Sequence, residues 1–245
     1  VLGIGGILLG NMLEDGHLSS LVQFTAFLIV FGGTIGATLV SNTLQNFKYG
    51  VSLLSLAFTK DDEKRKLIIA QEIIESANLV RKESLLALEK RLRTYTSLYM
   101  QNVFRFMIDG VDPDRIKEIF EGEMDLAEER REAGAKVWMD AGGYAPTIGI
   151  IGAVLGLIHV MGNLTNTAEL GKGIAVAFVA TIYGVGSANL FFLPLANKIR
   201  SKTREEVLEK TMIIEGAISI LSGQNPYIVE EKMRSFVQLP EKDAT

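Results

Sequence analysis

Two long uncharged stretches, 145–162 (APTIGIIGAVLGLIHVMG) and 173–196 (GIAVAFVATIYGVGSANLFFLPLA), constrain this chain more than any other feature. They run for 18 and 24 residues without an Asp, Glu, Lys or Arg. About 20 apolar residues rising ~1.5 Å each cross a ~30 Å hydrocarbon core, so both read as membrane-spanning helices. The competing arrangement is a buried helix pair in a soluble protein. That pair needs a further apolar layer around it, and the rest of the chain is too charged to supply one. Each span also carries small residues at helical spacing, Gly149, Ala153 and Gly156 on the first and Ala177, Thr181, Gly184 and Ala188 on the second. Small residues let helix backbones approach where lipid gives no hydrophobic drive between helices. Thr181 places a lone hydroxyl in the second small face, where a bond to its own helix carbonyl competes with a functional role.

Charge distribution sets the sidedness. The chain is 48% hydrophobic yet 22% charged, which points to segregation of the two kinds of residue. Sixteen Lys and Arg lie between Asn42 and Tyr144, eight more follow Ala196, and the one remaining, Lys172, sits between the two spans. By the positive-inside rule the middle region and the tail are cytoplasmic and both short loops face outward. Pro146 and Pro194 then stand near the cytoplasmic ends of their spans, where each leaves a carbonyl without its intrahelical donor and offers a hinge.

Taken in order, residues 1–13 read as the outer end of a first span whose inner end precedes Val1, followed by an outer loop at 14–20. A second span covers 21–41, with small residues Gly32, Gly33 and Gly36. Residues 42–144 form a cytoplasmic helical domain. Asp61 and Asp62 mark a helix start, Leu67, Ala70, Ile73, Ile74 and Ala77 repeat at 3–4 spacing, and Leu85, Leu88, Leu92 and Tyr95 continue the pattern. Asp112-Pro113 opens a helix that runs past Trp138 and near-continuously into the third span, 145–162. An outer loop (163–172), a fourth span (173–197) and cytoplasmic tail helices (198–245) complete the chain. Lys198, Arg200, Lys202 and Arg204 form a basic collar suited to topology and lipid headgroups. Asn225-Pro226 caps a last short helix, and 238–245 read as a frayed tail. The fold expected is all-α, four crossings plus a cytoplasmic helical bundle.

Chemistry for catalysis is missing. There is no Cys, no convincing phosphate loop and no metal-spaced cluster, and the two histidines are His17 and His159. His159 reads as an interfacial imidazole. A pairing of Ser187 with His159 lacks an orienting carboxylate within the spans, so an enzyme is not expected. No span holds an ionisable side chain, although ion-driven machines need one at membrane depth. Either the chain is not ion-driven, or a partner chain supplies the carboxylate.

Four motifs carry a resemblance that resolves this fork: Pro146 with GIIGAVLGLIHVM, ATIYGVGSANLFFLPLA through Pro194, RKESLLALE at 81–89, and GAISILSGQNPYIVEEKM at 216–233. In that order and topology the chain resembles the A subunit of bacterial flagellar stators, the MotA/PomA family, over essentially its whole length. The resemblance implies a homopentameric ring in the inner membrane around a MotB/PomB-type partner, whose single membrane Asp is the missing carboxylate. It implies that ion flux drives torque on the rotor switch protein FliG, with no cofactor and no nucleic acid. By motif position, Arg81 and Glu89 match the rotor-binding pair, Pro146 and Pro194 the coupling prolines, and Thr181 the hydroxyl facing the partner's Asp. Eight residues separate Arg81 from Glu89, about two helical turns, so one helix face is expected to present both. Sodium-type members resemble one another in a threonine where this chain has Ala153, so protons are favoured over sodium. The alternatives are an ExbB/TolQ-like energiser of outer-membrane transport and a passive membrane scaffold. The first has three spans and no use for the Arg81–Glu89 motif, and the second leaves Thr181 and the prolines unexplained.

Overall fold

The computed structural model describes residues 2–59, 63–162 and 167–237. The expected helix start at Asp61 and Asp62, part of the second outer loop (163–166) and the tail 238–245 lie outside the described residues. All regular structure among the described residues is helical. Helix α1 is Leu2–Leu13, and α2 comprises Phe24–Phe27, a wide π turn at Leu28–Gly32, and Gly33–Ser41. Two short helices follow, α3 (Leu44–Ser52) and α4 (Leu54–Ala57), then α5 (Glu63–Lys82), a 3-10 segment Leu85–Thr94, and α6 (Leu98–Ile108). Helix α7 is unbroken over Pro113–Gly162. Helix α8 comprises Thr167–Ser187, a π turn at Ala188–Phe192 and Leu193–Leu221, and α9 is Pro226–Arg234. Three of these, α2, α7 and α8, are long and apolar enough to cross a membrane, and α1 is a shorter apolar helix.

Caps explain several boundaries. The Asp112 carboxylate accepts from the Asp114 N–H at 2.9 Å just before Pro113, and the Asn225 side chain accepts from the Tyr227 N–H at 3.0 Å just before Pro226. In both, the proline fills a first helical position whose N–H has no helical partner in any case. The Ser97 hydroxyl serves α6 in the same way through the Met100 N–H.

The chain divides into two contact units, residues 1–58 with 131–200 and residues 59–130 with 201–245. The first unit is the membrane unit. Its α7 and α8 pack through glycines and alanines, α2 covers one side of the pair, and α3 lies along α7, where the Trp138 indole N–H donates to the Gly50 carbonyl at 2.8 Å. The Asn42 amide that ends α2 donates to Asp140 on α7 at 2.9 Å, and Asp140 also pairs with Lys136. Arg200 forks onto Glu132, so its guanidinium is committed to protein, and Lys202 is 8% exposed. The basic collar is therefore in part an internal ion-pairing device.

In the second unit α5, α6, the first part of α7, the last part of α8 and α9 surround one core. Ile69, Ile73, Leu88, Met100, Phe104, Met107, Ile116, Ile213 and Met233 are fully buried in it. Each such side chain contributes about 1.5–3 kcal/mol relative to exposure. Helix α9 closes the core with Val229 and Met233 and with the Lys232 ammonium, which donates to Glu215 on α8; Lys117 of α7 reaches the same carboxylate at 3.7 Å. The bond from Lys232 leads in holding the Glu215 carboxyl below its ordinary range, against partial burial, and the two positive charges add to it. A depressed acid stabilises the fold above its ordinary titration range and loses that contribution as pH falls toward the depressed value. Glu215→Gln is therefore expected to cost about 0.5–1 kcal/mol at neutral pH, as for a partly exposed pair, and to shrink the drop in melting temperature between pH 7 and pH 4. An unchanged drop would remove Glu215 from the acid response.

Candidate functional site

The site begins with the way α7 meets α8. A side chain added at Gly149 would lie 2.9 Å from the Ala180 carbonyl oxygen and 3.1 Å from the Gly184 Cα. One at Gly184 would lie 2.5 Å from the Ala145 carbonyl oxygen, and one at Gly156 would lie 2.9 Å from that of Gly173. The two backbones are in direct contact, as small residues permit in a membrane. Residue numbers fall on one helix as they rise on the other, so the helices are antiparallel. The contact stripe is Ala145, Gly149, Gly152, Gly156 and Val160 against Gly173, Ala177, Ala180, Gly184 and Ala188, all buried.

This differs from the expected faces by one residue on each helix. Gly152 and Ala180 occupy the contact, and Ala153 and Thr181 come next after them. Gly152 and Ala153 are adjacent and both small, so spacing does not separate a 149-152-156 stripe from a 149-153-156 one. The consequence is functional. A step of one residue turns the side chain by roughly 100°, and in antiparallel neighbours that step leads to the same side of the pair. Ala153 and Thr181 therefore lie side by side beyond the touching Gly152 and Ala180, both half-buried. The rest of that side is Pro146, Ile150, Leu157 and Met161 on α7 and Ile174, Phe178, Val185 and Asn189 on α8. Among these, Met161 is 68% and Phe178 69% exposed.

The opposite side of the pair is closed by α2. Ala26 and Val30 pack on Val179 and Ala180, and Ile29 and Gly33 face Gly152 and Ile148. Tyr183 seals this side. Its hydroxyl donates to the Leu21 carbonyl at 2.6 Å and accepts from the Gln23 N–H at 3.3 Å, satisfying the backbone at the start of α2. No local pattern signals this contact, because the partners lie about 160 residues apart in the chain.

The Thr181 hydroxyl donates to the Ala177 carbonyl at 3.2 Å, the local bond that its helical setting allows. Its proton is committed, and its oxygen lone pairs remain for a cation or for a protonated acid. Pro146 sits inside α7 without breaking it and has no N–H for the carbonyl of Gly142. Gly142 is pressed against the side chain of Leu193, where an added Cβ would lie 2.5 Å from Cδ2. Leu193 immediately precedes Pro194, so the weakened turns of the two helices touch. The π turn at Ala188–Phe192 ends at the same place, and π turns recur at functional positions.

Arg81 and Glu89 belong to the second unit and do not share a helix. Helix α5 ends at Lys82, Ser84 is extended at φ −172 and ψ 169, and Glu89 lies in the 3-10 segment Leu85–Thr94. The expectation of a single two-turn face is corrected. The chain turns back because Leu88 enters the core while Ser76 on α5 bonds the Tyr95 hydroxyl at 2.8 Å, Arg91 pairs with Glu75 at 2.6 Å, and Glu72 accepts from the Thr96 N–H at 3.0 Å. Burial pushes the Tyr95 hydroxyl above its ordinary pKa, so it stays a neutral donor or acceptor. Arg81 and Glu89 are both exposed, and neither has an ion pair among the described residues. They are opposite charges presented on a clamped turn.

With this geometry in place, comparison with known proteins is informative. The profile of the MotA/TolQ/ExbB proton channel family matches residues 68–212, and that of the motility protein A N-terminal region matches 1–81. Motility protein A of Bacillus subtilis is 34% identical over 247 residues, covering 99% of this chain and 89% of that protein. Chemotaxis protein PomA of Vibrio alginolyticus is 31% identical over 227 residues, covering 92% and 88%. A solved structure of C. jejuni MotAB superposes with a TM-score of 0.88 at 28% identity, covering 99% of this chain and 94% of that one. The flagellar MotAB stator complex from Bacillus subtilis gives 0.85 at 34%, with the same coverage. The N-terminal match covers the chain ahead of the shared channel core, and with it this chain belongs to the motility protein A branch of the MotA/TolQ/ExbB proton channel family.

Proposed function

We propose that this chain is the A subunit of a flagellar stator, an ion-channel subunit rather than an enzyme. It surrounds a MotB/PomB-type partner and turns ion flux into torque. The observation that carries this reading is the uncovered side of the α7–α8 pair, where Thr181 and Ala153 stand together with no ionisable side chain. A partner helix carrying a carboxylate completes that face, and Ala153 and Thr181 are the small side chains at which it can approach closely. The full assembly is a homopentameric ring in the bacterial inner membrane, with 42–144 and 198–245 cytoplasmic. The Arg81–Glu89 turn engages FliG, and Pro146 and Pro194 pass movement from the ion path to that turn. Ala153 brings no side-chain oxygen, which favours protons over sodium.

The test is complementation of cells lacking their own stator with this chain and its B subunit. Arg81→Glu with Glu89→Lys is expected to keep ion flux and lose at least tenfold in swimming speed, because the charge order on the turn is inverted. Loss of flux in that variant, or normal swimming, would remove the rotor role of the pair. A complex that passes no ions at all returns the passive scaffold.

A further inference from the structure

We propose that Asn189 is an inner oxygen station for the transported monovalent cation, about 12 Å toward the C-terminal end of the span from Thr181. The inference rests on the ion-path reading of the uncovered α7–α8 side. Along that side of α8, going from Thr181 toward Pro194, the side chains are Val185 and then Asn189, so Asn189 is the next polar group a cation meets. Its side-chain N–H donates to the Val185 carbonyl at 2.9 Å, which lays the amide back along the helix toward Thr181 and leaves Oδ1 with no donor among the described residues.

The π turn adds a second oxygen. The Leu193 N–H goes to the Ala188 carbonyl, one residue further back than in an α-helix, and Pro194 has no N–H. Neither serves the main-chain carbonyl of Asn189, which therefore lacks both its α-helical and its π-helical donor. One exposed residue therefore offers two carbonyl oxygens, the hard neutral ligands that suit hydronium or sodium and release them readily. The same π turn and proline that mark the coupling region also create the acceptor.

Flux through the purified complex of this chain with its B subunit in vesicles tests this, normalised to the amount of assembled complex. One arm uses a pH gradient at fixed sodium and the other a sodium gradient at fixed pH, which identifies the cation. Asn189→Leu is expected to lower flux per complex about tenfold, since the main-chain oxygen remains, and Asn189→Ser to recover most of it. Asn189→Asp, which adds a charge, is expected to make flux newly dependent on pH through the carboxylate range. Wild-type flux per complex in Asn189→Leu overturns the inference while leaving the ion path intact, as does a loss of assembled complex that accounts for the whole drop. Absence of flux in the unaltered complex overturns the ion path and this station with it.

Discussion

Gly184→Leu is expected to dismantle the membrane unit. The new Cβ would stand 2.5 Å from the Ala145 carbonyl oxygen and 3.0 Å from the Gly149 Cα. Both are main-chain atoms, so no rotamer change relieves the clash and the helices must separate along the whole contact stripe. Overpacking of a close-packed site costs about 1–3 kcal/mol, and a clash against fixed backbone belongs at or beyond the upper end. The amount of folded chain in the membrane and its melting temperature in detergent should both fall sharply. Gly186→Ala is the matched comparison, because an added Cβ there meets nothing within 4 Å. It should be neutral or gain up to about 1 kcal/mol in helix propensity. Equal behaviour of the two variants would mean that α7 and α8 do not touch through their backbones.

Thr181→Val is expected to leave the fold nearly unchanged and to stop most ion movement. Valine keeps the shape and removes only the hydroxyl, whose present bond is to its own helix carbonyl. A hydrogen bond or ligand bond to a charged group is worth about 1.5–3 kcal/mol, or roughly 10- to 150-fold in flux. Thr181→Ser, which keeps the oxygen, should recover most of it. Ala153→Thr places a second hydroxyl beside the first and should raise the dependence of motility on sodium. If Thr181→Val swims normally, the ion does not use that oxygen. If Ala153→Thr ignores sodium, selectivity is set elsewhere, and the main-chain carbonyls near Pro194 become the place to look.

Most of the architecture was legible because membranes leave few options. Uncharged stretches of the right length and prolines after Asp112 and Asn225 specify the long apolar helices and helix starts. Two things were not legible. Glycine, alanine and threonine all fit a pattern of small residues, so spacing alone puts Thr181 on the contact face that Ala180 occupies. The break between Arg81 and Glu89 has neither Gly nor Pro, and the helical spacing of Leu85, Leu88 and Leu92 passes straight through it. What bends the chain there is tertiary, namely the burial of Leu88 and the bonds from Ser76, Glu75 and Glu72 on α5. Both errors concern rotation or direction within a correctly placed segment, which local periodicity does not encode. Arg81 and Glu89 are both exposed whether or not they share a helix.

The bond from Tyr183 to the start of α2 has a consequence for how the protein is made. The Leu21 carbonyl and Gln23 amide are satisfied by a side chain some 160 residues later. A ribosome adding about 5–20 residues per second reaches Tyr183 roughly 8 to 32 s after Gln23. Through that interval α2 is already synthesised while its first turn awaits a partner, so nascent chains depend on the insertion machinery or interfacial water to hold it. Membrane insertion of this chain is thus a delayed closure, finished only when its last span arrives.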